Sequence, residues 1–216
     1  MPVTFSLADA DTRAVVDRAM REFHPVLAEA GVLVGVLFAA TDDPDEPSIR
    51  SRGAAVAATM QVVSLKDRVL KRVDAQLVIA REVWAGLDAD QRLALADHEL
   101  SHIRLRKAAY WAVLDDRGRP VIRPDGATEE ELRFDRDDLG RPKLSSVPGD
   151  VDAGDGFSEV IRRHGPASLE YRNLTRAGAW AEKALSGEAG TEPELEDGGD
   201  REVDGPTLFD GAAESA

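Results

Sequence analysis

The string His98-Glu99-Leu100-Ser101-His102 is the part of the chain whose residue types and spacing most directly permit chemistry. On a helix, residues four apart share a face and stand one turn from each other. Two imidazole nitrogens so placed can reach a single metal ion at about 2.0–2.1 Å. Glu99, the next position round the helix, can take a proton from water activated by such an ion and pass it to a leaving amine. For zinc, the ion lowers the pKa of that water toward ~7 and polarises a scissile carbonyl. The bland alternative is a histidine pair hydrogen-bonded in the core or on a wet face. Leu93, Ala96, Leu100 and Ile103 form an apolar stripe around the string, so the polar trio is expected to be largely buried. Burying it is costly unless something satisfies it, which favours the metal reading.

A catalytic zinc takes three protein ligands and keeps an open position. No glycine and third histidine follow His102; the chain continues Ile103-Arg104-Leu105-Arg106-Lys107-Ala108. Glu129, Glu130, Glu131 and Glu159 are downstream candidates for a carboxylate ligand. His164, the only histidine after His102, is expected at a helix end, with a ligand role as the alternative. Asp97 either supports a ligand or lies on the surface.

These residues need a helix to hold them. Asp88 and Gln91 have the spacing of a capping box, so a helix is expected to start there, and its pattern can run to about Leu114. Residues 9–30 read as one amphipathic helix, with Val15, Val16, Ala19, Met20, Phe23 and Leu27 at helical spacing. His24, before Pro25, is expected to be a surface or packing residue. Residues 32–39 and 74–80 read as strands, 55–63 as helix or strand, 65–73 as helix, and 115–145 as a hairpin or an irregular excursion. A last helix is expected over Phe157 to His164.

The composition narrows the classes. With no cysteine, disulfides, thiolate ligands and cysteine nucleophiles are excluded. The first residues lack a basic start and apolar run, and the longest apolar stretch, Gly31 to Ala40, is about half of what a bilayer requires. A cytoplasmic protein with no membrane partner is the expectation. The net charge of -14 is uneven: residues 184–216 carry ten acidic residues and one Arg. Residues 186–216 are therefore expected to be an acidic disordered tail behind a domain over 1–185. Within it, Thr207-Leu208-Phe209 is an isolated apolar island, read as a docking motif or as nothing. Residues 50–72 run basic, which gives weak support for nucleic acid.

The order of elements has a familiar look, as do three stretches: Ala94 through Ile103, Asp138-Leu139-Gly140-Arg141-Pro142-Lys143-Leu144, and Phe157 through Gly165. Over about residues 10–166 the chain resembles the Putative phage metallopeptidase family, similar in style to SprT-like and minimal zincin domains. The resemblance implies an α+β, zincin-like fold: a small, mostly antiparallel sheet packed on the zinc-binding helix and an N-terminal helix. It implies a zinc-dependent peptidase acting on peptide or protein substrates, of phage or prophage origin and working in the host cytoplasm. His98 and His102 would ligate zinc and Glu99 would be catalytic. In the family, a His-Asp pair five residues before the Phe of the last helix is a natural third ligand. Counted back from Phe157, that position is Asp152 here, with Asp150, Asp155 and Glu159 as alternatives. A carboxylate there would leave the ion less positive than a third imidazole would. The competing reading keeps the fold without catalysis: a binding module that works through the basic segment or the acidic tail, near DNA.

Overall fold

A computed structural model describes residues 2–43, 46–51, 53–147, 156–169 and 171–172 of the chain. The expected tail, residues 186–216, and Asp150, Asp152 and Asp155 lie outside them. Contacts divide the chain into Met1–Thr175 and Arg176–Ala216, and every element named here lies in the first unit.

The architecture is α+β. Strand β1 (Thr4–Leu7) leads into helices α1 (Ala10–Phe23) and α2 (Pro25–Glu29), then β2 (Val34–Ala40). A short hairpin of β3 (Arg50–Ser51) and β4 (Ala54–Ala55) precedes β5 (Ala58–Val62), α3 (Leu65–Lys71), β6 (Ala75–Ala80) and α4 (Arg81–Ala85). The candidate metal helix is α5 (Ala89–Ser101). After it come β7 (Ile103–Leu105), β8 (Ala109–Ala112), β9 (Glu130–Arg133), β10 (Leu144–Ser146) and α6 (Gly156–His164), which ends in a 3-10 turn over Gly165–Ala167. Among the described residues no helix is long and apolar enough to cross a membrane.

The main sheet has the order β1-β2-β6-β5. Its two outer pairings are antiparallel and the central β2–β6 pairing is parallel, so the sheet is mixed. Side chains alternate faces along a strand. Val36 and Phe38 of β2, in register with Leu77 and Ile79 of β6, therefore point to one side. There they join Val16 and Ala19 of α1 and Leu93, Ala96 and Leu100 of α5 in one core. Leu77, Ile79 and Leu100 are at most 1% exposed, and burying each such side chain stabilises the fold by about 1.5–3 kcal/mol. This core fixes α5 against the sheet. The alternate residues Ala39, Val78 and Ala80 form a smaller cluster with Ile49 on the other side.

Three boundaries differ from the sequence-based expectations. The single helix expected over 9–30 is broken at His24, whose backbone (φ −126°, ψ 54°) caps α1 and opens α2. Pro25 causes the break: it has no N–H to donate, and its ring disfavours helical backbone at the residue before it. Helix α5 stops at Ser101 and does not run to Leu114. Ile103 and Leu105 are buried on either side of exposed Arg104, and they pair with Ser146 and Leu144 of β10. That tertiary pairing overrides a helix-compatible local sequence. Thr4–Leu7, which carried no structural expectation, pairs with β2 as an edge strand.

Residues 106–143 form an exposed ladder. Above the β8–β9 pair, Val113 donates to Glu129, Glu129 to Val121 and Val121 to Val113, each at 2.8 Å, closing a ring of backbone bonds between two tight turns. The chain then returns through Asp137–Pro142, whose turn has Gly140 at φ 74°, a left-handed conformation that glycine adopts without strain. The Asp137 carboxylate accepts the backbone N–H groups of Leu139 and Arg141, both at 2.9 Å. Arg68 of α3 donates to Asp137 at 3.0 Å and to the Pro142 carbonyl at 2.8 Å. Asp74 completes this buried network, 3.4 Å from Arg68 and 3.0 Å from Arg141. Arg68 is only 3% exposed, so the basic segment read at 50–72 loses it to an internal structural role.

Candidate metal centre

Helix α5 begins as its sequence indicates. Asp88 Oδ1 accepts the Gln91 N–H at 2.9 Å, and the Gln91 side chain accepts the Asp88 N–H at 3.2 Å, so two donors at the helix start are satisfied reciprocally. Ten residues beyond Asp88, the helix presents His98, and one turn later His102 at its C-terminal cap. The two Nε2 atoms lie 3.2 Å apart, with the rings nearly perpendicular at a centroid distance of 4.9 Å. Glu99, next to His98 in the chain, is buried. One ligand atom from each of the three residues falls within 4.8 Å of the others.

This donor set fits a zinc-sized cation. Two ligands about 2.0–2.1 Å from a tetrahedral ion stand about 3.3 Å apart, close to the separation of the two Nε2 atoms. His102 is also held from behind. Its Nδ1 lies 3.4 Å from the Val147 carbonyl, and its own carbonyl accepts the Val147 N–H at 2.7 Å. A backbone acceptor at Nδ1 favours the tautomer that leaves the Nε2 lone pair for a metal. Val147 carries no sequence signal for this, because the contact is made by its backbone.

The other candidates fall elsewhere. Among the described residues only His98, Glu99 and His102 form such a group. Glu159 pairs with Arg162 on the surface of α6, which holds its carboxyl below the usual range. Glu131 is bonded to Arg133 on the exposed ladder, which also carries Glu129 and Glu130. His164, expected at a helix end, is there but turns to Asp97 at 2.9 Å.

Of the two expectations for Asp97, the surface position is ruled out. The residue is fully buried and gathers donors from two other elements. His24 Nε2 reaches Oδ1 at 2.7 Å, His164 Nε2 reaches Oδ2, and Arg163 Nη1 lies 2.7 Å from both oxygens. Burial pushes this carboxyl up, but the hydrogen bond and charge of His24, with Arg163 and His164, outweigh it and hold the group below the ordinary value. Phe23 lies beneath the cluster, edge-on to His164 at 5.0 Å and 5.2 Å from the Arg163 guanidinium. The roles of His24 and Arg163 were missed from sequence. The available signals were the His-Pro step that breaks the first helix and the adjacent Arg163-His164 pair.

The model of the Putative phage metallopeptidase family matches residues 4–179. The chain belongs to that family. No curated protein and no solved structure matches it. A metallopeptidase works through a bound metal and acts on peptide or protein substrates. In this member of the family, the described residues offer a ligand group for such a metal at His98, Glu99 and His102.

Proposed function

We propose that the protein is a zinc-dependent peptidase in which His98 and His102 hold the ion and Glu99 moves the proton. The observation that carries this reading is the 3.2 Å approach of two Nε2 atoms beside a buried glutamate on one helical turn. Zinc bound there supplies a Lewis acid that acidifies water and polarises a peptide carbonyl. Glu99 takes the proton from the attacking water and delivers it to the departing amine nitrogen as the C–N bond breaks. Val147 holds the His102 ring in the orientation that presents Nε2.

Asp152 is our choice for the third ligand. Its support is the family position counted back from Phe157 and the anchoring of the chain on either side of it. Val147 is bonded to His102, and Arg163 and His164 of α6 are bonded to Asp97. The test of function is Glu99→Gln, assayed for hydrolysis of an unfolded protein such as casein. Turnover should disappear while zinc content and folding remain. Residual turnover near the wild-type rate would remove Glu99 from the chemistry. Zinc retention without turnover in the wild type would favour the binding-module reading.

A further inference from the structure

We propose that Asp97 is a positioning residue for the metal centre: it locks the turn of α5 that carries His98 between the end of α1 and the end of α6. The proposal rests on the metal reading above. Asp97 directly precedes His98, and each of its oxygens accepts donors from outside its own helix, His24 from one side and Arg163 and His164 from the other. The clamp extends to the main chain, since the Asp97 carbonyl receives His24 Nε2 at 3.2 Å and Ser101 Oγ at 3.0 Å. Ser101 and His102 follow on the next turn, where Val147 holds the second histidine. The two histidines are therefore fixed from different sides by different parts of the chain.

Stability alone does not call for this arrangement. A buried ionic cluster replaced by well-packed apolar groups is often as stable or more so. What an apolar core lacks is direction: a carboxylate with several fixed donors permits one rotation and one height of the helix. Two imidazole nitrogens that must stand 3.2 Å apart on one ion need that fixity. The cluster is not a second metal site, because a guanidinium already spans both carboxylate oxygens.

The experiment measures Zn2+ affinity by chelator competition and the visible absorption of the Co2+ form, beside thermal unfolding. The variants are Asp97→Asn, His164→Leu and His164→Gln. Outer partners of a metal site typically change affinity by about 10–100-fold, and Asp97→Asn and His164→Leu should weaken Zn2+ by that order and alter the Co2+ spectrum. His164→Gln keeps a donor near the Nε2 position and should recover most of the affinity, although it loses the contact of the ring with Phe23 just as the leucine does. If both His164 variants lower the melting temperature equally and leave Zn2+ affinity and the Co2+ spectrum at wild type, the role is structural and the proposal fails. If Asp97→Asn does not fold, the His164 pair decides alone. A wild type that binds neither Zn2+ nor Co2+ would overturn the metal reading, and this proposal with it. Binding by the wild type with unchanged variants would overturn this proposal only.

Discussion

Asp97 and Asp137 are both buried carboxylates, and the molecule holds them in different ways. Asp137 is surrounded by backbone N–H groups of its own turn and by Arg68, whose charge is permanent. It closes the long excursion of residues 106–143 back onto α3. Asp97 is held by two imidazoles and one arginine, and it sits on the helix that bears the candidate ligands. The first network fastens a loop. The second, on the reading proposed above, sets the orientation of the helix that would hold the metal. Breaking each should therefore give different symptoms.

The largest effect is expected from Arg68→Ala, which leaves Asp74 and Asp137 buried without their shared cation. Removing one partner of a buried pair costs about 3–5 kcal/mol, and urea unfolding should show it, while metal affinity of the folded fraction stays near wild type. Asp97→Asn should reverse the pattern. Asparagine keeps one carbonyl oxygen as an acceptor, and Arg163, 24% exposed where Arg68 is 3%, can turn to water, so the stability loss should be the smaller one, accompanied by a clear loss of zinc affinity. Equal effects of both variants on zinc affinity would erase the distinction between the networks.

Acid sharpens the comparison. Burial raises the Asp137 carboxyl, but the N–H groups of Arg141 and Leu139 and the charge of Arg68 lower it further, leaving it below its ordinary value of 3.8. The folded state thus binds this proton less tightly than the unfolded chain does. Its contribution to stability is complete above that ordinary value and is lost as the pH falls through the lower folded one. Asp137→Asn should flatten the fall in stability below pH 3.8, as read by urea midpoints. An unchanged acid slope would mean that other carboxyls dominate. The smallest effect is at the helix start: Asp88→Ala should cost about 1 kcal/mol as a lost cap, with no change in the His98–His102 pair or in metal affinity.

Much of the site was legible because its signals are local. The Asp88–Gln91 box, the spacing of His98 and His102, and the short apolar runs within residues 32–39 and 74–80 are each written within a few residues. What could not be read depends on distant partners. Ile103 to Leu105 suit a helix until β10, some forty residues later, offers a strand to pair with. His24 looks like a helix-end residue until Asp97, 73 positions away, is packed against it. Asp137 looks like any turn residue, and Arg68 like any cation on a basic helix. Their burial together follows from how the excursion returns, which no local pattern encodes.

The most direct test of the central claim is the metal content of the intact protein by native mass spectrometry, wild type beside His98→Ala. About one zinc per chain in the wild type, as a single tetrahedral site requires, and none in the variant, is the predicted result. A wild type that stays metal-free after zinc is supplied, or a variant that keeps its zinc, would contradict the account.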